Sequence, residues 1–120
     1  MSLSAPVDSG QAAFEGGLAA QGIETEMRGP LVVYRVEPLV GALAGQAVET
    51  GVAVDELSGW PTAPPHWIHV SNDLKIAGAQ DSALAGWFRY SRPHPGRLDA
   101  AQNPAQAWIA HVREFLGQAP

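Results

Sequence analysis

The chain contains no cysteine. That absence excludes thiolate nucleophiles, thioester intermediates, disulfide staples and cysteine-ligated zinc together. Charge is sparse as well. Only 16% of the 120 residues are Asp, Glu, Lys or Arg, and seven basic residues against twelve acidic ones leave a formal net charge of −5. The basic residues, Arg28, Arg35, Lys75, Arg89, Arg92, Arg97 and Arg113, are scattered. Without a cationic stripe to neutralise phosphates, nucleic acid is not an expected partner. No apolar run approaches the ~20 residues that a bilayer span needs. The opening residues lack the basic and apolar regions of a secretory signal, so a soluble cytoplasmic protein with no membrane partner is expected.

What the chain does have is apolar content of 46% and four Trp, enough for one packed core. A single domain over residues 1–120 is expected, with an ordered core at roughly 8–117. Asp8 followed by Gln11 is a variant capping box, and Phe14 and Leu18 share a face, so a helix is expected over roughly 9–21 with Gly22 as its cap. Gly16 and Gly17 weaken it by about 1 kcal/mol each relative to alanine. Leu31–Val36 reads as a strand covered on most of both faces. Residues 46–56 alternate, with Val48, Thr50, Val52 and Val54 on one side, which predicts a half-buried antiparallel partner in a long-loop hairpin.

Trp60-Pro61-Thr62-Ala63-Pro64-Pro65 is neither helix nor sheet, because proline donates no ladder hydrogen bond. It leads into a short strand at 66–70. Residues 71–86 read as an irregular connection with a helical turn around Asp81–Leu84, and 87–90 as a fourth short strand. The last element has the sharpest bounds: Asn103 as N-cap, Pro104 at the first helical position and Gly117 beyond the last turn. Trp108, Ile109, Val112, Phe115 and Leu116 form its apolar stripe. The class is α+β: an N-terminal helix, a three- to four-stranded antiparallel sheet and a C-terminal helix.

This order, with its proline loop, resembles the ubiquitin-conjugating (E2, UBC-like) fold, in which a Tyr-Pro-x-x-Pro-Pro loop joins two strands. Trp87-Phe88-Arg89-Tyr90-Ser91-Arg92-Pro93-His94 is similar to a Trp-x-x-x-Ser-Arg-His segment of a bacterial E2-like family, with Pro93 interrupting it. The resemblance covers roughly residues 10–117. It implies a conjugating-enzyme frame, yet the catalytic parts are missing. Where E2 enzymes carry His-Pro-Asn and then the thioester-forming cysteine, this chain reads Ser71-Asn72-Asp73-Leu74-Lys75-Ile76-Ala77-Gly78. Asn72 alone matches, and an oxyanion-stabilising Asn without a nucleophile has no reaction to serve.

The expectation is a non-catalytic, cofactor-free protein-interaction module, not an enzyme, whose partner is another protein, with a ubiquitin-like one among the candidates. Its candidate contact residues are Trp60, Pro64 and Pro65 of the loop, and Trp87, Arg89, Arg92 and His94 of the downstream segment. Packing of Trp60 against the sheet is the alternative for that ring. Two other classes stay open: a small hydrolase or transferase using Ser91 with His94 and Asp99, and a structural subunit of a larger complex. No metal site is expected, because strand alternation sends His66 and His69 to opposite faces and no carboxylate stands at ligand spacing.

Overall fold

A computed structural model of the chain describes residues 9–95 and 103–120. Helix α1 (Gly10–Ala19) leads into β1 (Glu26–Arg28), β2 (Leu31–Val36) and β3 (Val48–Ala53), which ends in a 3₁₀ turn over Val54–Glu56. After the proline loop come β4 (Trp67–Val70), β5 (Gln80–Asp81), β6 (Phe88–Ser91) and helix α2 (Pro104–Leu116). The sheet is fully antiparallel, in the order β1-β2-β3-β4-β6-β5.

The α+β class stands, but the sheet has six strands where three or four were expected. Both extra strands are short edges. Glu26-Met27-Arg28 is polar and lacks an apolar pattern, and it becomes a strand because the Gly29-Pro30 turn folds it onto Leu31–Val33. Gln80–Asp81 pairs with Phe88 and Arg89. This hairpin replaces the helical turn expected around Asp81–Leu84. Strand β3 stops at Ala53, so Val54 belongs to the 3₁₀ turn and not to the alternating face.

Alternation sorts the side chains onto two faces. Val32, Tyr34 and Val36 of β2, Val48 and Val52 of β3, Ile68 and Val70 of β4 and Tyr90 of β6 join Phe14 and Leu18 of α1 and the whole α2 stripe in one buried cluster. Both helices therefore pack on the same face. On the other face Leu31, Val33 and Trp87 form a smaller cluster with Ala53 and Leu84, to which no helix contributes. Strand β2 is covered on both sides, as its apolar run predicts.

Asn103 caps α2 as expected, its Oδ1 accepting from the Gln106 N–H (3.0 Å). The expected Asp8 cap of α1 lies outside the described residues, and Ser9 at the N-cap makes no side-chain capping bond. Gly22 closes that helix in the left-handed region (φ +78°), where Ile23 N–H reaches Leu18 O at 3.0 Å. Gly17 has a packing reason: a Cβ there would lie 2.7 Å from Ala105 Cβ on α2.

Two effects then compete in Gly17→Ala. Helix propensity favours alanine by about 1 kcal/mol. Overpacking at a close helix contact costs roughly 1–3 kcal/mol, and here the clash meets a short side chain that cannot swing aside. A net destabilisation of about 1 kcal/mol is expected in urea unfolding, with Gly16→Ala, which meets open space, neutral or stabilising.

Candidate functional site

The proline loop is built around a buried ring. Trp60 is 3% exposed and lies edge-on against Phe14 (4.9 Å between centroids) and Trp108 (6.4 Å). Its carbonyl accepts the Gly10 N–H at 2.9 Å, which fixes the start of α1, and its peptide bond to Pro61 is cis. Pro65 is buried and Pro64 half-buried. The Trp60 ring is thus a core anchor with no face left for a partner.

The loop and the downstream segment do meet. Arg92 N–H donates to His66 O (3.0 Å), and His66 N–H donates to Glu56 Oε1 (2.8 Å). His66 Nε2 and Ser91 Oγ share a hydrogen bond of 2.5 Å. Arg89 stacks on the Trp67 ring, 4.2 Å from its centroid. Arg92 lies over Phe115 (5.1 Å) and donates to Ser91 O (2.7 Å). His94 sits 5.2 Å, ring to ring, from His111 of α2, whose Nε2 bonds Arg92 O. Ser91 therefore pairs with His66 and not with His94, and Asp99 lies outside the described residues. His66 and Ser91 stand 25 positions apart; only the β4–β6 register, with Trp67 opposite Ser91, brings them together. Nothing in their local sequence signals it.

Trp87 is buried on the far face beside Leu31 and Val33, under the Arg28 guanidinium at 5.7 Å. It closes a strap over residues 82–87, in which Ser82 N–H reaches Trp87 O and Trp87 N–H reaches Leu84 O, both at 3.0 Å. The strap covers His69 of β4, 2% exposed, whose Nδ1 bonds Ser82 Oγ (2.8 Å). His69 Nε2 and Arg89 Nε are both buried without a partner among the described residues, and the two residues are register partners. Burial, aided by the Arg89 charge and opposed by Asp55, pushes the His69 imidazole down to about 4, so it is neutral at pH 7.

A cleft of about 400 Å³ opens beyond the end of β4, lined by Ser71, Asn72, Asp73 and Lys75 together with Glu49, Val48 and Leu43. Its rim is braced from below. Asp73 Oδ1 accepts from Lys75 N–H (2.9 Å) and from the Tyr90 hydroxyl (3.1 Å), and both bonds hold its carboxyl below the usual range. Lys75 takes a left-handed φ of +59°. Glu49 is committed elsewhere: Arg28, at 3.1 Å, lowers its pKa, and Arg35 adds a weaker pair at 3.5 Å. No cluster of three His, Asp or Glu suited to a metal occurs among the described residues, and no helix there is long and apolar enough to cross a membrane. No family model, curated protein or solved structure matches this chain.

His69 sets a pH dependence. Its folded pKa, about 4, lies below the ordinary 6.5, so the unfolded chain takes up a proton that the native state refuses. Stability is unaffected above pH 6.5 and falls as pH drops from 6.5 towards 4, by about 3 kcal/mol over the window. His69→Asn, which keeps a hydrogen-bonding partner for Ser82, is expected to lose that part of the slope in denaturation curves taken at stepped pH.

Proposed function

We propose that this chain is a non-catalytic, E2-like protein-interaction module of the bacterial kind, with another protein, ubiquitin-like in the first instance, as its partner. The observation that supports it best is the Trp-Pro-x-x-Pro-Pro loop between β3 and β4, its Trp60 wedged between the two helices on one face of an antiparallel sheet. The cleft at the other end of β4 is lined by Asn72 but by no thiol. Cysteine-based conjugation is impossible for such a chain, which in this reading leaves binding as the role of the frame.

The contact face in this reading is the joint between residues 64–66 and 89–94. Pro64, Arg89, Arg92 and His94 are partly accessible there and His66 is exposed, while Trp60 and Pro65 are buried behind the loop and Trp87, buried with Leu31 and Val33 on the far face, takes no part. Affinity capture from native lysate with quantitative mass spectrometry is the test. A specific protein should be recovered with the wild type and reduced at least tenfold with Pro64→Glu or His66→Glu. Equal recovery with both folded variants would remove this face from the proposal.

The Ser91–His66 bond favours a second reading, a serine-based transferase or hydrolase. With Nε2 accepting the Ser91 proton, Oγ would attack an activated acyl or phosphonyl centre and expel the leaving group. A fluorophosphonate probe distinguishes the two: Oγ bonds to phosphorus, fluoride departs and His66 takes the hydroxyl proton. Labelling of the wild type that disappears in both Ser91→Ala and His66→Ala would establish the enzyme; an unlabelled wild type supports the binding module.

A further inference from the structure

The most exposed large apolar side chains among the described residues are Leu39 (78%) and Val40 (66%), adjacent in the loop 37–47 between β2 and β3. The loop is pinned on every side of them. Arg113 Nε of α2 donates to Glu37 O (3.0 Å), Gly45 N–H to Pro38 O (3.0 Å) and Ala42 N–H to Ala119 O (3.3 Å). Pro38 is buried. Gly41 adopts φ +85° with its α-carbon packed on the Gly117 carbonyl, so only glycine fits. Leu39 and Val40 are therefore held outward by backbone that is fixed elsewhere. With Ala110, Arg113 and Glu114 they line a shallow groove of about 350 Å³.

The chemistry of this patch narrows its occupant. Its walls are aliphatic and its rim carries one cation and one anion, which gives a polar metabolite few fixed hydrogen-bonding groups to bind. An anionic membrane surface is disfavoured by a single arginine on a chain of net charge −5. A two-fold contact between identical patches asks for a protrusion, a recess and both signs of charge in one place. This patch has all three: Leu39 as the protrusion, the groove beside Ala110 as the recess, and Arg113 next to Glu114 on the rim.

We propose that this surface is a homodimer interface, in which Leu39 of each copy enters the groove of the other and Arg113 of one copy faces Glu114 of its mate. The rigidity of the loop means that little ordering entropy is lost on contact. The surface shares no residue with the joint at 64–66 and 89–94, so the dimer and the binding module are independent readings.

Sedimentation equilibrium of the intact chain tests it. Reversible dimerisation with a Kd on the order of 10 μM is expected for a small, preorganised contact. Leu39→Glu, at an exposed position where folding is not at stake, should weaken association at least tenfold. The rim charges give a check specific to two-fold pairing. Glu114→Arg should fail to self-associate, with circular dichroism confirming that it is folded, because Arg113 then meets an arginine across the axis; Arg113 itself is left in place, since its Nε holds the Glu37 carbonyl of the loop. Added salt screens that repulsion and should recover part of the association. A wild type that stays monomeric to about 500 μM, well above that Kd, overturns the proposal. So does a dimer indifferent to Leu39→Glu or to Glu114→Arg.

Discussion

The structure depends on one buried contact between sequence-distant residues: the Trp108 indole N–H donates to the Tyr34 hydroxyl at 2.9 Å. Both side chains are almost wholly inaccessible, so each polar atom has lost water and is satisfied only by the other. Burial raises the Tyr34 pKa well above its ordinary value and keeps the phenol neutral, which suits an acceptor that must stay uncharged in an apolar setting. Removing either partner would strand the other at a cost of about 1–3 kcal/mol. Phe14 and Trp60 pack edge-on around this pair, and such contacts contribute roughly 0.5–1.5 kcal/mol each beyond burial. One aromatic assembly thus joins α1, β2, the proline loop and α2, and the proline loop is inseparable from the core.

That arrangement consumes one face of the sheet and leaves the other to be covered without a helix. The cover is the strap 82–87, held by its own turn bonds, by the Ser82–His69 contact and by Trp87 lying over Leu31 and Val33. A strap is a thinner lid than a helix, and two buried nitrogens on the paired residues His69 and Arg89, Nε2 and Nε, have no partner among the described residues, which marks where polar matching on this face is incomplete. Arg89 offsets part of that deficit by stacking on Trp67. The far face is therefore where acid acts first, since a proton on His69 would add a second cation beside Arg89 in a dry place.

The helices and central strands were readable because their signals are local. Asn103-Pro104 with Gly117 bounds α2, and the apolar stripe between them fixes its inward face. Leu31–Val36 matches its strand residue for residue. The edge strands β1 and β5 were not readable, since their strand character comes from the ladder they join and not from their own side chains. The same holds for the site. The sequence placed Ser91 near His94, whereas the β4–β6 register delivers it to His66. Trp60, standing among prolines, reads either as a contact ring or as one packed over the sheet, and what decides for burial is the position of Phe14 and Trp108, 46 and 48 residues away in sequence.

Loop 37–47 runs against the tendency that organises the rest of the molecule. Among the described residues every other Leu, Ile and Val is buried or half-buried, while here two glycines in the left-handed region, Gly41 and Gly45, help fix a backbone that leaves Leu39 and Val40 largely in water. Burying one such side chain contributes about 1.5–3 kcal/mol, a gain the monomer forgoes twice. A flexible loop of this length would recover part of it by collapsing onto α2, but the hydrogen bonds from Arg113, Ala42 and Gly45 prevent that. In the proposed dimer that burial comes from a second copy, each Leu39 entering the recess that the other presents beside Ala110.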